Sequence, residues 1–178
     1  MIKKFSIFYF QFSIFRKGYT LIELLVFMGI ISILLVMLSN MLASIIDVRQ
    51  ESESISSIEQ DGNYILARFT YDIQRAQSIS VPASLGQNGS TLGLSIDGIS
   101  NLYSVSNGFL TVSNNLGVLQ LNSVNTSVSN LNFLRLGNTA DIAREDTIRV
   151  NFTITSRIIR SSGPEAKNFQ TTVGLRLR

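Results

Sequence analysis

The sequence has no cysteine and no histidine among its 178 residues. Without cysteine there is no disulfide, no thiolate zinc site, no cysteine nucleophile and no lipid anchor on a thiol. Without histidine, Ser-His-Asp catalysis and imidazole-ligated metals are excluded as well. The side chain most often used as a general base is missing, so the chain is read as a non-enzyme that needs no cofactor. Positive charge is also scarce where it would count. The formal net charge is +3, but Lys3, Lys4, Arg16 and Lys17 all precede Tyr19. Setting residues 1–18 aside leaves 11 basic residues against 12 acidic ones, a net charge of −1. A basic balance of that origin is no footprint for nucleic acid, which needs a basic patch on a folded face.

What the sequence does have is a long apolar run. Residues 19–46, YTLIELLVFMGIISILLVMLSNMLASII, carry a single charge, Glu23. About 20 predominantly apolar residues suffice to cross a bilayer as a helix. Ser32, Ser39, Asn40 and Ser44 do not veto that reading, because such side chains find partners within helices. Four basic residues precede the run, whereas Asp47, Arg49, Glu51 and Glu53 follow it. Lys and Arg favour the cytoplasmic side, so the N-terminus is expected inside and the bulk of the chain outside. The aromatic stretch before it, with Phe5, Phe8, Tyr9, Phe10, Phe12 and Phe15, suits a membrane interface.

The helical pattern continues past Ile46. Ile55, Ile58, Gly62, Ile65, Phe69, Ile73 and Ala76 recur every three or four residues, the signature of one buried helix face. Gly62 lowers helix stability by about 1 kcal/mol relative to Ala and marks a candidate bend. Val81-Pro82 is the expected stop, since the residue before proline is pushed out of the α region. After Pro82 the period becomes two. Asp97-Gly98 and Asn107-Gly108 are hairpin turn signals between runs at 91–96, 99–105 and 109–113. Residues 118–121 and 129–136 are further strand candidates, with Val124, Val128 and Leu131 as apolar anchors. Residues 147–155 and 169–177 alternate cleanly, as strands do with one face covered and one face wet. The fold class is therefore α+β: a long N-terminal helix, apolar in its first half and amphipathic in its second, packed on an antiparallel β-meander. The segments are 1–18, 19–46, 47–80 for the amphipathic half of the helix, and 81–178 for the sheet domain.

The string Arg16-Lys17-Gly18-Tyr19-Thr20-Leu21-Ile22-Glu23-Leu24-Leu25-Val26 resembles the prepilin processing motif of type IV pilin-like proteins. In that family a glycine precedes an aromatic or apolar residue, and a glutamate falls on the fifth position of the mature chain. The resemblance implies a leader, residues 1–18, cut between Gly18 and Tyr19 by a prepilin peptidase that also methylates the new amine of Tyr19. The fold expected is pilin-like. Glycine before the scissile bond lets extended backbone enter a protease site without a side-chain clash. The basic pair Arg16 and Lys17 holds that site at the membrane surface. An ionisable group among apolar residues is costly, about 3 kcal/mol near a membrane centre. Glu23 either sits close enough to the interface to reach water or, as the resemblance implies, pairs with the Tyr19 ammonium of a neighbouring subunit to set register. Residues 64–76 followed by Pro82 and hairpins look like minor pseudopilins of the J type in type II secretion, and like related minor pilins of pili and competence systems.

The implied partners are the prepilin peptidase and methyltransferase, other pilins or pseudopilins in a helical filament, an assembly platform in the membrane, and the lipid bilayer. The implied location is the cytoplasmic membrane and then an extracytoplasmic filament. Two other readings stay open: a permanently anchored single-pass protein with an external ligand-binding sheet, and a competence pseudopilin for DNA uptake. An ordinary secretory signal fits poorly, because the apolar run is too long and no Ala-x-Ala site follows. Asp141, Glu145 and Asp146 form an acidic cluster that matches no calcium-loop pattern and is read as a solvated loop. Arg157, Arg160, Arg176 and Arg178 are read as a solvated, charged sheet edge.

Overall fold

The computed structural model describes residues 18–137, 146–160 and 162–176. Two compact units emerge, one ending at Ser44 and the other running from Ile45 to the C-terminus. Helix α1 spans Leu21–Arg75 without a break, so both units share it. In the first unit no described residue covers it: every described apolar side chain from Leu21 to Leu42 is exposed. Two hydroxyls there are satisfied locally. Ser32 Oγ donates to the Met28 carbonyl at 2.8 Å and Ser44 Oγ to that of Asn40 at 3.1 Å. Such back-bonds let serine sit in an apolar helix without an orphan polar group.

In the second unit α1 buries Ser54, Ile58, Gly62, Ile65, Phe69, Asp72 and Ile73. The stripe differs by one residue from the sequence expectation at its start. Ile55 is exposed, and Ser54 takes the buried position, because stepping back four residues from Gly62 and Ile58 lands on 54. Gly62 interrupts nothing in the helix. An ideal Cβ there would overlap the ring of Phe169, with Cε2 only 2.7 Å away, so glycine is present to let the sheet approach the helix. The helix stops at Arg75, six residues before Val81-Pro82. Gln77 N–H already donates to the Ser95 carbonyl at 2.8 Å; β-pairing, rather than the proline, ends the helix.

All strand pairing is antiparallel, but the strands divide between two sheets instead of forming one meander. The first sheet has the order β1-β3-β4-β5-β6: β1 Ser78–Val81, β3 Leu92–Ile96, β4 Ile99–Ser106, β5 Phe109–Asn114 and β6 Gly117–Gln120. The second has the order β2-β7-β8-β9: β2 Asn88–Gly89, β7 Thr126–Leu136, β8 Thr147–Ser156 and β9 Ala166–Gly174. Asp97-Gly98 and Asn107-Gly108 both turn with positive φ, at 51° and 78° and at 52° and 79°. Paired positive φ is the geometry that matches strand twist in tight hairpins.

One core joins helix and sheets. The Phe69 ring lies 5.3 Å from that of Tyr103 on β4, 5.4 Å from Phe133 on β7 and 6.3 Å from Phe152 on β8. Each such aromatic contact contributes about 0.5–1.5 kcal/mol beyond area burial. Val128 and Leu131 enter this core as expected, whereas Val124 is exposed, because it stands in the turn ahead of β7.

Polar clamps fix the helix from the side. Asp72 is buried, yet it accepts hydrogen bonds from the Tyr103 hydroxyl and, at 2.5 Å, from Arg68 Nε. Asp61 accepts from the Ser123 amide at 2.9 Å, from the Ser123 hydroxyl at 2.7 Å and from the Thr126 hydroxyl.

Candidate functional site

The segment that carries the processing motif begins outside the described residues with Arg16 and Lys17, and continues into them at Gly18. Gly18, Tyr19 and Thr20 precede the helix in non-helical backbone. Nothing lies within 4 Å of a side chain that would replace the Gly18 hydrogen, and Tyr19 is 80% exposed. The bond between Gly18 and Tyr19 thus lies in exposed, non-helical backbone, which is what a peptidase substrate needs.

Thr20 starts the helix. The Glu23 amide donates to Thr20 Oγ1 at 3.3 Å, and the Leu24 amide donates to the Thr20 carbonyl at 3.1 Å. These are the contacts of an N-cap, in which a side-chain oxygen takes up an amide that the first helical turn leaves unpaired. A threonine followed three residues later by glutamate is also the sequence pattern of a capping box. That pattern stands in the sequence, and Thr20 belongs to the site on this ground.

Glu23 lies in the first turn of α1. The unpaired amides at a helix start carry a partial positive charge, so a carboxylate is favoured there by about 0.3–1 kcal/mol. Glu23 therefore has a local role that does not depend on any neighbour. Its surroundings are Tyr19, Leu24 and Phe27, which share a shallow apolar recess with it.

Beyond this turn the helix presents a continuous apolar surface, and a single helix in the described residues is long and apolar enough to cross a membrane. A monomer rarely exposes a contiguous apolar patch of more than several hundred Å² to water; lipid or other helices must cover this one.

The other polar clusters are structural. Asp146 is bound to Arg135 at 2.6 Å, and Arg135 also donates to the carbonyls of Pro82 and Ala83 at 3.0 and 2.9 Å. Asp141 and Glu145 lie outside the described residues, as does Arg178. Two of the four arginines expected on a solvated edge are instead engaged. Arg160 is nearly buried between Glu165 at 2.8 Å and Glu51 at 3.5 Å. Arg157 stacks 4.4 Å over the Phe109 ring and donates to the Asn107 carbonyl at 3.1 Å. Glu51, Phe109 and Asn107 are too remote in sequence for local spacing to reveal, whereas Glu165 is only five residues from Arg160.

Residues 15–39 match the prokaryotic N-terminal methylation motif. The match contains Gly18, Tyr19, Thr20 and Glu23 together with the start of the apolar helix. No curated protein and no solved structure matches the chain. The motif and the apolar helix behind it support a type IV prepilin-like protein, anchored in a membrane by a single span.

Proposed function

We propose that this chain is a minor pilin or pseudopilin, inserted with its N-terminus inside the cytoplasmic membrane, cut after Gly18 and methylated on Tyr19 before it enters a filament. The observation that carries the reading is the coincidence at the helix start. An exposed Gly18–Tyr19 bond, the Thr20 cap and Glu23 in the first turn all fall inside the matched methylation motif. Cleavage would place a new ammonium at Tyr19, two residues before the helix. A positive charge there is repelled by the positive helix start. A carboxylate at Glu23, its own or that of the next subunit, offsets it. Between packed helices the pairing is strengthened by the low dielectric, and a misregistered helix leaves both charges unpaired.

The proposed partners follow from this sequence of events: a prepilin peptidase and methyltransferase, an assembly platform in the membrane, and other pilin-type subunits. The likeness of residues 64–76 to J-type pseudopilins supports a minor role. In the fold that stretch supplies the core residues Ile65, Phe69 and Ile73.

Glu23→Ala tests the reading. Cleavage is expected to persist, because the scissile bond and Thr20 are unchanged, while the amount of chain in the sheared filament fraction falls relative to the membrane fraction. Unchanged incorporation of the variant would remove the assembly role from Glu23.

A further inference from the structure

On β8 the side-chain oxygen Asn151 Oδ1 is buried and has no hydrogen-bond partner. A buried acceptor left unpaired is destabilising, and in a folded protein it calls for a reason. Its neighbours supply one. The register of β8 on β9 sets Asn151 opposite Gln170 and Thr153 opposite Asn168. Alternation puts these four side chains on the face turned away from the core, since Phe152 and Phe169 between them are buried.

Strand β7 adds a fifth side chain. Its register on β8 shifts between Ser129 and Asn132, and Asn130 inside that irregularity has a φ of 52°. A bulge of this kind re-aims a side chain. Asn130 Nδ2 donates to Thr153 Oγ1 at 3.3 Å, and Thr153 Oγ1 donates to Asn168 Oδ1 at 2.7 Å. Asn130, Asn151, Thr153, Asn168 and Gln170 line, with Phe152 and Phe169, a cleft of about 490 Å³. Small-ligand sites occupy about 300–1,000 Å³.

The chemistry of the lining selects the ligand. No charged side chain lines the cleft, so it offers nothing to neutralise an anion and no carboxylate for a hard cation. Asn151 Oδ1 needs a donor, which a carboxylate or a phosphodiester lacks. Asn168 Nδ2 can donate, and the Gln170 amide can donate and accept. A hydroxyl does both from one atom, so a ligand dense in neutral hydroxyls meets every group. An extended peptide would add to a sheet edge through its backbone, whereas this cleft lies on a sheet face. We propose that the outer face of β7-β8-β9 binds a neutral glycan, with Asn151 Oδ1 accepting from a sugar hydroxyl and Asn168 and Gln170 donating to others. Asn168 and Gln170 are exposed; exposed side chains change rotamer within nanoseconds, and their turning uncovers Asn151 Oδ1. The proposal does not depend on processing or filament entry.

The purified full-length chain is placed in phosphatidylcholine nanodiscs free of sugar-based detergent. It is titrated calorimetrically with neutral hexasaccharides of glucose, mannose, galactose or N-acetylglucosamine. At least one is expected to bind with a Kd in the micromolar to millimolar range. N151V is expected to raise that Kd at least about fivefold, the effect of one lost hydrogen bond. Its melting temperature is expected to equal or exceed the parent's, because the unpaired acceptor is gone; a purely structural Asn151 would move stability the other way. N168A/Q170A changes two exposed side chains and is expected to weaken binding by a similar factor, which keeps the test decisive should N151V fold poorly. N63A, exposed on α1 and outside the cleft, is expected to bind as the parent does. Binding of none of the four hexasaccharides, parent-like binding by N168A/Q170A, or equal competition by an uncharged Gly-Ser peptide or by a hexauronate would overturn the proposal.

Discussion

Replacing Gly62 by alanine isolates the closest approach between helix and sheet. At an exposed helical position this change stabilises a protein by about 1 kcal/mol through helix propensity. At Gly62 the new methyl meets the Phe169 ring, with Cε2 at 2.7 Å and Cζ and Cε1 closer still. Carbon atoms pack at about 3.5–4.0 Å, so the ring must retreat by roughly an ångström or the helix must lift. The ring is poorly placed to retreat. It stacks on Phe152 with centroids 5.4 Å apart and planes 13° from parallel, and it is buried in the core. Overpacking of this kind costs about 1–3 kcal/mol. Subtracting the propensity gain leaves a net destabilisation of about 1 kcal/mol. The assay is denaturant unfolding of the detergent-solubilised chain, followed by near-ultraviolet circular dichroism of its aromatic rings. A second variant, F169L, makes the test specific. If the clash is with Phe169, F169L costs less in the G62A background than in the parent, with a coupling above about 0.5 kcal/mol. A G62A chain as stable as the parent, or one with no coupling to F169L, would refute this packing argument.

The buried Tyr103 predicts a pH dependence. Burial, and after it the hydrogen bond to Asp72, raise the Tyr103 phenol above its ordinary value of 10.0. The folded state therefore holds the proton more tightly than the unfolded chain does. This contribution to stability is complete below about pH 10 and is lost as the pH rises above it. Y103F is expected to be less stable than the parent at neutral pH by about 1.5–3 kcal/mol, the loss of a hydrogen bond to a charged group, with a smaller decline in alkali; an undiminished alkaline decline in Y103F would contradict the assignment. E23Q extends the test of the helix start, since it retains size and hydrogen-bonding capacity but not charge. It is expected to follow E23A in filament entry, and parent-like entry would mean that charge pairing is not what the position supplies.

Much of this architecture was legible because local signals agreed with long-range packing. Asp97-Gly98 and Asn107-Gly108 require positive φ and obtain it, and the alternation in 147–155 matches β8 residue for residue. The apolar run, too, was plain from composition. What sequence could not supply was the assignment of polar groups to distant partners. Nothing in the sequence marks Asp72 as buried, yet Tyr103 and Arg68 make its burial tolerable. Ser54 displaced Ile55 from the buried stripe because position 54, four residues before Ile58, falls on the buried face. The short strands β1 and β2 have too few residues to show a period, and they exist through pairing with β3 and β7. The division into two sheets depends on the same pairings. At the helix start the sequence did hold the information: Thr20 and Glu23 have capping-box spacing, and the processing motif overlies it.

The central claim is that the chain is a prepilin processed between Gly18 and Tyr19. The most direct test is the N-terminus of the full-length chain after co-expression with an active prepilin peptidase, determined by intact mass and fragmentation of the membrane-extracted product. The account predicts a product that begins at Tyr19 and is heavier by one methyl group on its amine. A chain that retains residues 1–18 beside the active peptidase would contradict it and would favour a permanent single-pass anchor.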